Sequence, residues 1–75
     1  MRILLVEDED RIASFITKGL AAEGHAAERA STAAEGVALA RTHTYDLILL
    51  DLLLPDGHGR DVLQAVRDAD PDVPV

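Results

Sequence analysis

Two short, unbroken apolar runs constrain this chain more than anything else in it. Ile3-Leu4-Leu5-Val6 and Leu47-Ile48-Leu49-Leu50 contain no polar residue, and each ends at once in acid: Glu7-Asp8 after the first, Asp51 after the second. An apolar run of this length without alternation suits a strand covered on both faces, as in a parallel sheet with helices above and below. Between the runs the period changes. Ile12, Phe15, Ile16 and Leu20 form an i, i+3/i+4 stripe, and Gly24 falls where a C′ glycine closes a helix. Residues 25–30 lack large apolar side chains and read as a weak edge strand. Thr32-Ala33-Ala34-Glu35 matches a capping box, which predicts a helix from near Ala33 to residues 41–43 with Ala33, Val37 and Ala40 on its buried face.

Beyond Asp51, residues 52–59 hold one proline and two glycines, which predicts a loop without regular structure. Gly57 or Gly59 is expected to take positive φ there. Val62, Leu63 and Val66 mark a third helix, stopped by Pro71-Asp72, and Val73-Pro74-Val75 reads as the start of a further strand. The order β-α-β-α-β-α predicts an α/β fold built on a parallel sheet. Residues 1–75 are expected to form one incomplete domain, three βα units and the start of a fourth strand.

Composition narrows the function. With no cysteine among 75 residues, neither disulfides nor a thiolate zinc site can support the fold. The aromatics are Phe15 and Tyr45 alone, so the core is aliphatic and both are expected in or near it. Fourteen acids against seven bases give a formal charge of −7. That argues against direct nucleic-acid binding, since phosphates would be repelled, and it permits a cation site. No apolar run approaches the roughly 18 residues of a membrane span, and residues 1–6 are too short for a signal-peptide core. The reading is a soluble, cytoplasmic protein.

The acids carry the chemistry. In an open parallel sheet, ligands bind at the carboxyl ends of the strands. If the two apolar strands are neighbours, Asp8 and Asp51 meet at that edge. Crowded carboxylates repel one another, which raises the pKa of at least one. A hard divalent cation such as Mg²⁺ relieves the repulsion, and it suits one or two carboxylates plus water and phosphate oxygens. Such a site fits phosphoryl transfer to a carboxylate.

The strings Ile3-Leu-Leu-Val-Glu-Asp-Glu and Asp46-Leu-Ile-Leu-Leu-Asp51-Leu-Leu-Leu-Pro55-Asp-Gly57-His-Gly59 resemble the receiver domain of two-component response regulators. The acid pair, the acceptor acid, and the proline and glycine four and eight residues after it all match. The resemblance implies a flavodoxin-like (CheY-like) fold with helices on both faces of the sheet, here truncated at the start of the fourth strand. It implies Asp51 as phosphoryl acceptor. It implies Mg²⁺ held by Asp8, Asp51 and the backbone carbonyl of Leu53, with Glu7 acting through water. A sensor histidine kinase is the implied donor, docking on the first helix. Output is expected through a C-terminal domain that contacts DNA, in the manner of winged-helix transcription regulators. The family's Ser or Thr after strand 4 and Lys after strand 5 would fall beyond Val75.

Other residues read more plainly. Asp8 can also serve as N-cap of the first helix, while Glu9 and Asp10 complement its dipole. Asp56 and Asp61 read as solvated. His58 reads as an exposed loop residue, because nothing pairs with it at metal-site spacing. The reading is a switch rather than an enzyme. A Toprim-like metal-dependent enzyme also pairs a Glu after its first strand with later acids, but it requires Asp-x-Asp, and Asp51 is followed by Leu52 and Leu53. The haloacid-dehalogenase phosphatase motif fails for the same reason. A third reading is a non-signalling piece that forms a homodimer or oligomer through the open apolar edge of the Leu47 to Leu50 strand or through the exposed sheet faces.

Overall fold

The computed structural model describes the backbone of residues 1–75 and every side chain except that of His58. The elements are β1 (Arg2–Val6), α1 (Asp10–Ala22), β2 (Ala26–Ala30), α2 (Ala33–Thr42), β3 (Leu47–Leu50), β4 (Leu53–Leu54), β5 (Gly57–His58) and α3 (Gly59–Ala69). The main sheet has the order β2-β1-β3, with both pairings parallel. The weak strand lies at the edge and the two apolar runs lie side by side, as the sequence predicts.

β1 is central, and that explains its composition. Ile3, Leu4, Leu5 and Val6 are all buried, so no position along the run can be polar. Successive side chains point to opposite faces. Leu4, Val6 and Ile48 join a cluster with Ala33 and Ala40 of α2, Val62 and Val66 of α3, and Tyr45. Ile3 and Leu5 point to the other face, where α1 runs. Tyr45 is core, as expected. Its hydroxyl donates to Glu28 Oε2 at 3.0 Å. Burial first, and that hydrogen bond second, push its phenol up to about 12.

The helix ends follow local chemistry. Gly24 has φ 83°, the only positive value among the described residues. Its amide donates to Ala21 O, and His25 N donates to Leu20 O, which together make a Schellman closure of α1. At α2 the Thr32 hydroxyl accepts from Glu35 N at 3.1 Å. The other half of the expected capping box is replaced: the Glu35 carboxylate accepts from the Ser31 hydroxyl.

Four expectations are corrected. First, Phe15 is 81% exposed and Ile12 49% exposed. The inward stripe of α1 is Ala13, Ile16, Thr17 and Leu20, one residue out of phase with the expected one at its start, because small Ala13 rather than Phe15 meets the sheet. Second, the N-cap of α1 is Glu9, not Asp8. Third, residues 52–59 are not all irregular. Leu53 pairs with His58 and Leu54 with Gly57 in a minimal antiparallel hairpin around Pro55 and Asp56. Fourth, neither Gly57 nor Gly59 has positive φ. Gly59 is required for closeness instead, since a Cβ there would lie 2.6 Å from both Asp51 O and Leu52 Cα.

The outer edge of β3 is partly covered. Ile48 N donates to Pro74 O at 2.9 Å, and Val73 is buried. Residues 73–74 therefore begin a fourth position beside β3, although they form no strand.

Candidate functional site

The register of the central ladder builds the site. Val6 pairs with Leu50, so the residues that follow, Glu7 and Asp51, leave the sheet side by side. Asp51 N donates to Val6 O at 3.0 Å and Glu7 N donates to Ala30 O at 3.0 Å. Equal apolar runs paired in register therefore bring their terminal acids together. Glu7, Asp8 and Asp51 each offer a carboxylate oxygen, and these oxygens lie within 4.8 Å of one another. Glu7 and Asp51 are half-buried and Asp8 is exposed. Among the described residues these three expected ligands do come together.

The cluster is under electrostatic load. Burial, then the Asp51 carboxylate, and more weakly Asp8, push the Glu7 carboxyl above its ordinary value. A hard divalent cation relieves that repulsion. The donor set fits such an ion, since it consists of carboxylates with no nitrogen or sulfur ligand. The Leu53 amide donates to Asp51 Oδ1 at 2.9 Å, which orients the Asp51 side chain. His58 lies outside the residues whose side chains are described.

Two neighbours of the site went unread in the sequence. Asp56, expected to be solvated, is exposed but bonded. Its two oxygens accept from Ala33 N at 2.7 Å and Ala34 N at 3.0 Å. These are amides of the first turn of α2, which Thr32 leaves without partners. The two bonds hold the Asp56 carboxyl below its ordinary value. The hairpin after Asp51 is thus tied to α2. Arg29 is the second. From the end of β2 its Nε donates to Glu7 O at 3.0 Å, and its Nη1 lies 2.8 Å from Asp10 Oδ1. A free pair of amides at a helix start asks for an anion, yet nothing local pointed to Asp56. No sequence signal marked Arg29.

The response regulator receiver domain family matches residues 3–75. This chain belongs to that family, and so to two-component signalling. It is 40% identical over all 75 residues to the transcriptional regulatory protein CusR of Escherichia coli K12, of which it covers 33%. It is 44% identical to the cell cycle transcriptional regulator CtrA of Caulobacter vibrioides, of which it covers 32%. The chain therefore spans about a third of the length of these curated relatives. Among solved structures, the non-phosphorylated HemR receiver domain of Leptospira biflexa superposes with a TM-score of 0.91 at 37% identity, covering 97% of this chain and 59% of that one. TrrA of Thermotoga maritima in complex with Mg²⁺-BeF gives 0.87 at 31% identity, covering 95% and 62%. The complex of histidine kinase ThkA with TrrA gives 0.85 at 30%, covering 96% and 62%. The receiver fold and family expected from the sequence therefore hold, in place of the Toprim-like alternative. No helix of the described residues is long and apolar enough to cross a membrane.

Proposed function

We propose that Asp51 is the phosphoryl acceptor of a two-component switch, charged by the phosphohistidine of a sensor histidine kinase. The observation that carries this reading is the convergence of Glu7, Asp8 and Asp51 within 4.8 Å at the carboxyl edge of the sheet. Leu53 N holds one Asp51 oxygen and leaves the other to attack phosphorus. In that step the histidine N–P bond breaks, an O–P bond to the Asp51 carboxylate forms, and the imidazole nitrogen takes a proton. Asp8, Asp51 and the Leu53 carbonyl would hold Mg²⁺, with Glu7 reaching it through water. The ion would neutralise charge on the transferring phosphoryl oxygens. Burial and then Asp51 raise the Glu7 carboxyl, and a bound cation would relieve the second of these.

TrrA, solved both with Mg²⁺-BeF and with a histidine kinase, supports a cation and a kinase as partners. CusR and CtrA, named as transcriptional regulators, support control of transcription as the output, through a DNA-contacting domain outside these residues. The acidic surface leaves DNA contact to that other domain. The same reading implies a cytoplasmic chain.

The test is intact mass after incubation with Mg²⁺ and acetyl phosphate. The expected result is one added phosphoryl group in the parent chain and none in Asp51→Asn. An equal gain in Asp51→Asn would refute Asp51 as acceptor.

A further inference from the structure

Arg29 grips the loop that carries two of the three carboxylates. It occupies the β2 position opposite Leu5 and reaches past the end of β1. One planar guanidinium spans from the Glu7 carbonyl to the Asp10 carboxylate. Glu7 and Asp8 therefore sit between two fixed points, one on the backbone of Glu7 and one in the first turn of α1. Nη2 of the same side chain is buried without a hydrogen-bond partner among the described residues. An unpaired buried donor costs stability, so Arg29 is a poor choice for stability alone.

We infer that Arg29 is a positioning residue for cation binding, setting where Glu7 and Asp8 present their oxygens; the inference rests on the phosphoacceptor reading above. Two effects of opposite sign compete here. A positive charge near a cation site repels the cation, so its removal would tighten binding. Loss of the two contacts would instead loosen the Glu7–Asp8 segment and weaken binding. The Asp10 carboxylate lies 2.8 Å away but is 88% exposed, so it offsets the charge only in part; the part-buried bond to the Glu7 carbonyl makes the loss of geometry the larger effect. Lysine is not an adequate substitute. Its compact ammonium on a flexible stem can hold Asp10, but it cannot present a second, coplanar donor to the Glu7 carbonyl.

The experiment is calorimetric Mg²⁺ titration of the parent chain, Arg29→Lys and Arg29→Gln, with metal-free thermal melts of each. Supporting groups behind metal ligands change affinity by about 10–100-fold when removed. The expected result is a Kd for Mg²⁺ raised about tenfold in both variants, with the metal-free melt of Arg29→Lys unchanged. An unchanged Kd in Arg29→Lys, tighter binding in Arg29→Gln, or loss of the metal-free fold in Arg29→Lys would each overturn this role. A parent chain that binds no Mg²⁺ would sink the phosphoacceptor reading and this role with it. A parent that binds while both variants match it would sink this role alone.

Discussion

On one side of the central sheet, α2 and α3 close over β1 and β3 at short range; on the other, α1 covers the same strands only in part. The closed side is built from small residues. A Cβ placed on Gly36 would lie 3.2 Å from both Val6 methyls and 3.3 Å from Val62, and Ala33, Ala40 and Ala65 are buried. Small side chains let helix backbones approach the sheet closely, and the space left on this side is a pocket of 220 Å³ beside Ala40, Tyr45 and Val66. On the α1 side only Ala13 of the helix is fully buried. A groove of 770 Å³ remains there, lined by Leu5, Ile12, Ile16, Leu49 and Leu63 among others. The same strands thus serve one sealed face and one open face. The acid site sits at the edge where both meet, since Leu5 and Val6 lead directly into Glu7.

The difference predicts that stability rests mainly on the closed side, while the open side is the one free to meet another surface. The largest expected effect is Leu4→Ala on the sealed side, where the side chain is fully buried. Its cost is about 2–5 kcal/mol. A chain of 75 residues has a stability on the order of 4–11 kcal/mol, so urea denaturation should show a much lower midpoint or no cooperative transition. A small shift would mean that the sealed face does not dominate the fold.

Gly59→Ala comes next, because the added methyl meets Asp51 and Leu52 backbone that cannot swing aside. The expected loss is about 1–3 kcal/mol, with amide shifts concentrated in residues 51–59. Shifts spread evenly over α1 as well would show that the hairpin is not the strained part.

Asp56 links the site to the sealed side and gives a pH test. Its carboxyl is lowered by the Ala33 and Ala34 amides, so the stability it contributes is present above the ordinary Asp value. That stability is lost as pH falls through the lowered folded value. Acid unfolding of Asp56→Asn should therefore show a shallower dependence on pH in that acid range than the parent. Identical acid limbs would remove Asp56 as an α2 anchor.

The smallest effect is expected on the open side. Phe15→Ala should change stability by less than about 0.5 kcal/mol, as at exposed positions generally. The open groove should instead drive self-association of this chain, since apolar patches of this kind bind other surfaces. Sedimentation should show concentration-dependent dimers that Ile16→Glu reduces. Monomers at all concentrations would show that the groove attracts no second copy.

Much of this was readable from the sequence because it depends on near neighbours. The two equal apolar runs define β1 and β3, and their pairing in register carries Glu7 to Asp51 without further information. Gly24 and Thr32 mark helix ends by chemistry within a few residues. What escaped depends on distant partners. Asp56 meets Ala33 across 23 positions and Arg29 meets Glu7 across 22, and neither pair has a local pattern. The phase of α1 escaped for a related reason. Phe15 is the larger apolar residue, but Ala13 fits the approach to the sheet. The need for Gly59 came from an approaching backbone rather than from its own torsion.

Pairing of β1 and β3 in register brings Glu7, Asp8 and Asp51 together as the proposed cation and phosphoryl site. The most direct test follows backbone amide resonances while Mg²⁺ and then beryllofluoride, a phosphoryl mimic, are added. Mg²⁺ is expected to move the amides of residues 7–9 and 51–53 first, and beryllofluoride to extend the change through the hairpin to Ala33 and Ala34, with Asp51→Asn abolishing the second step. Shifts confined to other acids of the surface, or no shift near Glu7 and Asp51 in the folded chain, would contradict it.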